Sequence, residues 1–285
     1  MFRCKKFSLA HELKKNKIYL LKQNNTDEFL LTTKSFDGVK INYKKEGKIG
    51  PNIILIHGWC CDSSYWRKTT PSLVKDHRVY TIDLAGHGES GTNRRNWTIE
   101  NYGKDVEALA DKENLTDIIL VGHSMGGDVA LATAQLLGDH VRGVILVDSY
   151  HNVTSRAEKQ IQERVAPLRE NLRENAKLWV YGMFTEQSDP KLKEDTAIDM
   201  ASADPSIAIP SIESAFRYSA GDAFDKLNVP VRCINRDTRE ADYEAARKHL
   251  KNFEWTTMKE IGHFLMLERP EEFNKILRDM IASLT

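Results

Sequence analysis

Short apolar runs alternate with amphipathic stretches along most of the chain. The apolar runs predict eight strands, at residues 29–33, 39–43, 53–57, 79–83, 118–121, 144–148, 231–235 and 255–259. Helical periodicity predicts five helices between or after them, at residues 65–73, 99–113, 125–137, 241–250 and 270–284. The third to the sixth strands are almost continuously apolar, which is typical of parallel strands covered on both faces. Asp37-Gly38 fits a tight hairpin turn, so the first two strands are expected to be antiparallel. The alternation predicts an α/β fold with a doubly wound, mostly parallel sheet.

The alternation is interrupted between residues 150 and 228. That passage has helical stretches followed by a Pro-, Ser- and Asp-rich sequence, and none of it has the pattern of a parallel strand. The predicted organisation is an N-terminal extension at 1–28, a core in two parts at 29–150 and 229–285, and a helical cap at 151–228 between them. Since open α/β sheets bind ligands at the carboxyl ends of their strands, we expect this cap to cover a site there.

Charge and composition narrow the possible partners. Lys and Arg total 41 and so do Asp and Glu, which does not favour nucleic acid or an acidic membrane surface as a partner. No apolar run approaches the roughly 18 to 20 residues of a membrane span, and the first apolar stretch, Phe7-Ser8-Leu9-Ala10, is too short for a secretion signal. The spacing of Cys4, Cys60, Cys61 and Cys233 matches neither a disulfide framework nor a metal site. We therefore expect reduced thiols, no metal, a cytoplasmic location, and a monomer or homodimer.

One motif carries a specific chemistry. Gly122-His123-Ser124-Met125-Gly126 has the form G-x-S-x-G and lies between a predicted strand and a predicted helix. In that setting the serine occupies a sharp, strained turn that exposes its hydroxyl above the sheet edge. The next amide, that of Met125, lies at the helix N-terminus, where it can stabilise a developing oxyanion. Ser124 is therefore the predicted nucleophile.

Three further motifs follow in a matching order. They are His57-Gly58-Trp59-Cys60, the loop from Asp83 to Ser90, and Gly262-His263-Phe264. Together with the serine motif, they resemble the α/β-hydrolase fold family, from about residue 29 to the C-terminus. More narrowly, the chain resembles capped serine esterases and lipases. The resemblance implies an eight-stranded α/β-hydrolase sheet with an inserted helical cap, and it implies no cofactor.

The resemblance also implies a catalytic triad in the chain order Ser, Asp or Glu, His. His263, after the last strand, is the expected base. Asp237, after the seventh strand, is the preferred acid, although Asn235-Arg236 stands where the family often has a glycine. Asp148, at the end of the sixth strand, is the alternative acid. Two other carboxylates stay open as further candidates, namely Glu240 and Asp242.

The remaining expectations concern the oxyanion and the substrate. By resemblance, the amide of Trp59 joins that of Met125 in the oxyanion hole. The residues expected to bind substrate are His57, Gly58, Trp59, His123, His151 and Phe264.

The predicted function is hydrolysis of carboxylic esters with small to medium apolar acyl or aromatic groups, through an acyl-serine intermediate. The partner is then a small-molecule ester. A cofactor-independent ring-cleaving dioxygenase of the same fold is an alternative, as is a perhydrolase or a C–C hydrolase. A non-enzymatic receptor is a third interpretation, because a fold does not determine a function.

Overall fold

Eight strands form one sheet at the centre of the protein. The structure, a computed structural model, describes residues 30–285, so the predicted extension at 1–28 lies outside the described residues. The strands are β1 (Leu31–Lys34), β2 (Lys40–Glu46), β3 (Asn52–Ile56), β4 (Arg78–Asp83), β5 (Ile118–His123), β6 (Val141–Val147), β7 (Val231–Arg236) and β8 (Phe253–Met258). Each overlaps one of the eight predicted strands.

The helices surround this sheet. In the core they are α1 (Thr70–Leu73), α2 (Ile99–Glu113), α3 (Met125–Leu137), α9 (Tyr243–His249), α10 (Leu265–Glu268) and α11 (Pro270–Ala282). Between β6 and β7 lie α4 (Glu158–Glu170), α5 (Leu172–Tyr181), α6 (Pro190–Met200), α7 (Pro205–Arg217) and α8 (Ala220–Phe224), which we call the inserted helices. Two short 3₁₀ helices span Ser63–Trp66 and Gly138–His140. None of the helices in residues 30–285 combines the length and apolar character needed to cross a membrane.

The strand order is β1-β2-β4-β3-β5-β6-β7-β8. The pairs β1–β2 and β2–β4 are antiparallel, and all the other pairs are parallel. This topology confirms the predicted α/β-hydrolase sheet, including the antiparallel first hairpin. Every residue of β3 and β5 is buried, as expected for central strands with helices on both faces. The carboxyl ends of β5, β6 and β7 therefore lie side by side at one edge.

One predicted helix is wrong in detail. The stretch 65–73 is divided into the 3₁₀ turn Ser63–Trp66 and the short helix α1. Pro71 lies in the first turn of α1, where its missing N–H leaves no intrahelical bond unmade, so the chain begins a new helix there. The other predicted core helices differ from the observed ones by no more than a few residues at their ends.

Candidate active site

Ser124 lies on the turn between β5 and α3. Its backbone has φ 52° and ψ −125°, a conformation that residues other than glycine rarely adopt. A Cβ on Gly122 would lie 2.1 Å from the Gly126 carbonyl oxygen, and a Cβ on Gly126 would lie 2.5 Å from that of His57. The turn can therefore form only with glycine at both positions, as the sequence motif predicts. The backbone N–H of Ser124 donates to Val147 of the neighbouring strand at 2.9 Å.

Ser124 opens into a cavity of about 530 Å³. The same cavity is lined by His263, by Asp148 at the end of β6, and by residues of the inserted helices. Its volume is within the range of sites for small organic ligands. The predicted nucleophile and the predicted base thus share one cavity at the carboxyl edge of the sheet.

The imidazole of His263 is held by Asp148. Nδ1 of His263 donates to Oδ2 of Asp148 at 2.5 Å. Asp148 is only 1% exposed, and its backbone has φ 42°, again a left-handed conformation. Its backbone N–H donates to Ile234 of β7 at 2.8 Å, which fixes the turn that directs the carboxylate toward His263. With its proton on Nδ1, the imidazole leaves Nε2 free to accept a proton.

Arg236, at the end of β7, also contacts this carboxylate. Its backbone N–H donates to Oδ1 of Asp148 at 3.1 Å, and its Nε lies 3.2 Å from Oδ2. Burial by itself would raise the pKa of Asp148, but the hydrogen bond from His263 and the charges of His263 and Arg236 lower it to about 2. The carboxylate is therefore ionised throughout the neutral range. Sequence reasoning missed Arg236, and the available signal was Asn235-Arg236 in place of the usual glycine.

The guanidinium of Arg236 also reaches the inserted helices. It donates to the carbonyl oxygen of Met183, just after α5, at 3.1 Å. The backbone N–H of His263 donates to the same oxygen at 2.7 Å. One carbonyl of the insertion thus binds both the backbone of His263 and the side chain of Arg236.

Asp237, the preferred acid, does not contact His263 in the structure. It is exposed, and its Oδ1 accepts the backbone N–H of Glu260 at 2.8 Å. The difference arises because β7 continues through Arg236, which carries Asp237 past the sheet edge to the loop after β8. The other two candidates are also elsewhere: Asp242 caps α9 by accepting from Ala245, and Glu240 is exposed. The observed partner of His263 is the alternative, Asp148.

The two residues predicted to supply the oxyanion donors, Trp59 and Met125, line the same cavity as Ser124. Met125 is the first residue of α3, where a backbone N–H has no acceptor within the helix. Trp59 and Gly58 line the cavity with it, and a Cβ on Gly58 would lie only 3.1 Å from the Ser124 Cβ. Glycine at position 58 therefore lets this loop approach Ser124 closely. The indole Nε1 of Trp59 donates to Ala208 of α7 at 2.7 Å, which ties the loop to the inserted helices.

Of the other residues expected to bind substrate, His123, His151 and Phe264 line the cavity. His123 donates from Nε2 to the carbonyl oxygen of His263 at 2.9 Å, so it also supports the backbone of the base. Burial lowers the pKa of His123 to about 3 and, together with the charge of Arg239, lowers that of His151 to about 3. Both rings are therefore neutral at neutral pH.

His57 departs from its expected place. It is fully buried and is not among the residues lining the cavity. Its Nε2 accepts the backbone N–H of Leu84 at 3.1 Å, so its Nδ1 carries the proton and donates to Gly58 at 2.8 Å. Both ring nitrogens are thus used to shape the loop that precedes Trp59. The expectation that His57 binds substrate is corrected to a supporting position behind the cavity.

The cysteines and metal-binding residue types suggest no second reactive centre in the part of the chain that the structure describes. Cys60, Cys61 and Cys233 are buried free thiols. Burial raises the pKa of each, which disfavours the reactive thiolate. Within residues 30–285, no group of three or more His, Cys, Asp or Glu side chains is arranged to hold a metal ion.

The sequence and the fold are both similar to those of known α/β-hydrolase fold proteins. The sequence model of the alpha/beta hydrolase fold matches residues 51–229. Monoacylglycerol lipase ABHD6 of Mus musculus is 25% identical over 265 residues, covering 85% of this chain and 79% of that protein. A solved esterase from Exiguobacterium antarcticum has a TM-score of 0.80 at 18% identity and covers 89% of this chain and 100% of its own, which is a likeness of fold.

A higher identity is confined to a shorter segment. The dihydrolipoyllysine-residue acetyltransferase component of an acetoin cleaving system from Pseudomonas putida is 35% identical over 103 residues. That match covers 36% of this chain and 28% of the relative, so the chain spans less than a third of the relative's length.

Proposed function

The chain belongs to the α/β-hydrolase fold family, and we propose that it is a serine hydrolase that cleaves carboxylic esters through an acyl-serine intermediate. The observation that carries the proposal is the bond from His263 Nδ1 to Asp148 Oδ2, 2.5 Å long, inside the cavity that Ser124 also lines. A hydroxyl is a weak nucleophile at neutral pH, so it needs a base that is both oriented and electrostatically stabilised. The relatives named as a lipase and an esterase are consistent with this chemistry.

The proposed first half-reaction forms the acyl-enzyme. Nε2 of His263 takes the proton of the Ser124 hydroxyl while the oxygen bonds to the ester carbonyl carbon. The carbonyl electron pair moves to oxygen, where the amides of Trp59 and Met125 donate to the oxyanion. When the tetrahedral species collapses, the bond to the alcohol oxygen breaks and His263 gives its proton to that oxygen. Asp148 stabilises the imidazolium that exists between the two proton transfers.

The second half-reaction uses water in place of the serine. His263 takes a proton from water as the water oxygen attacks the acyl carbon, and the same two amides bind the oxyanion. Collapse then breaks the bond to the Ser124 oxygen, which recovers a proton from His263. The carboxylic acid leaves, and the enzyme returns to its first state.

The walls of the cavity indicate where the acyl or aromatic group of the substrate would lie. Trp179, Phe216 and Ile212 come from the inserted helices, and Phe264 comes from the core. We propose that the inserted helices act as the predicted cap, which shields the acyl-enzyme from bulk water and contributes apolar contact area.

The test is pre-steady-state hydrolysis of p-nitrophenyl esters of increasing chain length. We expect a burst of p-nitrophenol stoichiometric with enzyme, together with covalent labelling of Ser124 by a fluorophosphonate. The matched control is Ser124→Ala, which should lose both the burst and the label. Folded wild-type protein that shows neither would contradict the proposal, and so would ester turnover that survives Ser124→Ala.

A further inference from the structure

Three arginines line the wall of the same cavity, and the proposed ester chemistry makes no use of them. They are Arg156, just before α4, Arg164, within α4, and Arg239, after β7. Arg156 is half-buried, whereas Arg164 and Arg239 are exposed. The cluster thus lies where the cavity meets the surface.

Aromatic rings support two of these side chains. The guanidinium carbon of Arg156 lies 5.1 Å from the centre of the Phe216 ring. That of Arg164 lies 5.5 Å from the Phe216 ring and 5.5 Å from the Trp179 ring. Such contacts favour a cation over the ring face and limit the positions of a long side chain. They do not neutralise its charge.

Within residues 30–285, no carboxylate pairs with this cluster. Among the described residues, no Asp or Glu oxygen lies within ion-pair distance of Arg156, Arg164 or Arg239. By contrast, the nearby Arg217 pairs with Glu158 and Glu213 on the outer face. A single ion pair at a protein surface contributes little stability, so the lack of one is ordinary for a single arginine. Three arginines gathered at a cavity mouth, however, repel one another.

The carboxylates of the cavity itself do not offset this charge. Asp148 is engaged by His263 and Arg236. Asp128, one turn along α3 from Ser124, also lines the cavity, and burial raises its pKa well above the usual range, which favours its neutral form. Loss of solvent, followed by the charge of Arg156, lowers the pKa of Arg239 to about 10. At neutral pH the mouth of the cavity therefore carries an excess of positive charge.

From this juxtaposition we propose that Arg156, Arg164 and Arg239 form an anion subsite that selects ester substrates carrying a second, acidic group. The inference rests on the proposed ester hydrolysis, which it narrows to esters with a carboxylate or a phosphate distant from the scissile bond. A planar guanidinium binds either group through paired, charge-assisted hydrogen bonds. An anion placed among the three cations would also remove their mutual repulsion. The apolar wall then holds the chain that joins this group to the ester.

The experiment compares three methyl esters of similar length. They are monomethyl adipate, its neutral amide analogue methyl 5-carbamoylpentanoate, and methyl 5-phosphonopentanoate. Methanol release gives kcat/KM for each, and the measured quantity is the ratio of each acidic ester to the neutral one. The variants are Arg156→Gln, Arg164→Gln and Arg239→Gln. The matched control is Arg173→Gln, an exposed arginine of α5 that does not line the cavity.

We expect the wild-type ratio to exceed one for at least one acidic ester, and the larger ratio identifies carboxylate or phosphate as the preferred group. Each cavity variant should lower that ratio by about tenfold, as expected for the loss of one charge-assisted hydrogen bond. The Arg173→Gln ratio should equal the wild-type ratio. A wild-type ratio at or below one, or equal ratios in all variants, overturns the anion subsite.

A binding measurement separates the two proposals. Calorimetric titration of Ser124→Ala with the acidic esters needs no turnover. If no ester is hydrolysed by the wild type but the acidic esters bind through the three arginines, the proposed reaction fails and the anion subsite stands. If the neutral ester is hydrolysed and the acidic esters are not preferred, the proposed reaction stands and the anion subsite fails.

Discussion

The sharpest prediction concerns the carboxylate that serves His263. Asp148→Asn keeps the shape of the side chain but replaces an ionised acceptor with an amide. Asp148 accepts hydrogen bonds from His263 Nδ1 at 2.5 Å and from the Arg236 backbone N–H at 3.1 Å, and its Oδ2 lies 3.2 Å from the Arg236 Nε. An amide cannot satisfy all of these donors, since one end of it is itself a donor.

The consequence for catalysis follows from the tautomer. When the Asn oxygen accepts from Arg236, its NH₂ faces Nδ1 of His263, which must then give up its proton to accept a hydrogen bond. The proton moves to Nε2, the atom that should receive the Ser124 proton. A carboxylate-to-amide change at this place in a serine-protease triad lowers kcat by about 10⁴-fold. We expect a loss of about 10³- to 10⁴-fold here, with a smaller change in KM.

Asp237→Asn is the matched control, because it is the carboxylate that sequence reasoning preferred. Asp237 is exposed and accepts the backbone N–H of Glu260, which an Asn oxygen can also accept. Its kcat should remain within about twofold of wild type, as for most surface changes away from a site. The assay is p-nitrophenyl ester hydrolysis on variants whose thermal unfolding shows that they are folded. Near-normal kcat in Asp148→Asn with a large loss in Asp237→Asn would refute the reasoning.

Two further changes test the strain and the charge of the site. Ser124→Gly should abolish fluorophosphonate labelling yet raise the free energy of unfolding by about 1 kcal/mol. The reason is that relief of about 1–3 kcal/mol of backbone strain exceeds the added chain entropy of glycine. Chemical denaturation measures the change, and a less stable variant would show that the φ of 52° stores no strain. The pKa of Asp148, lowered from 3.8 to about 2 in the folded state, adds stability that is complete above the unfolded value and lost as pH falls through the folded one. The difference in unfolding free energy between wild type and Asp148→Asn should therefore shrink by about 2 kcal/mol between pH 5 and pH 2, measured in urea, and a difference independent of pH would contradict it.

Local sequence patterns predicted the sheet and the serine turn because both depend on short-range constraints. The continuous apolar runs of β3 and β5 match strands buried on both faces. The glycines at 122 and 126 are required by backbone contacts within a few residues of Ser124 or in the adjacent strand end. The contact of Gly122 with Gly126 can be read from neighbouring positions, and the requirement at Gly126 is carried by the motif itself.

The acid could not be predicted in the same way. Asp148 and Asp237 follow adjacent strands that end at the same edge, so strand order alone does not separate them. The choice depends on where each strand stops and on which way the next residue turns. Asp148 turns inward at φ 42°. By contrast, β7 ends at Arg236, one residue beyond the predicted strand end, and this places Arg236 beside the carboxylate of Asp148. The arginine cluster was equally hidden, because Arg239 comes from a segment far along the chain from Arg156 and Arg164.

The carbonyl oxygen of Met183 accepts both the His263 amide and the Arg236 guanidinium. Any rearrangement that pulled this point of the insertion away from the sheet would break both hydrogen bonds and loosen the backbone of His263. The position of the turn after α5 is therefore coupled to the position of His263. Under the proposed cap role, an opening of the insertion that admits substrate without disturbing His263 would leave the turn at residue 183 in place.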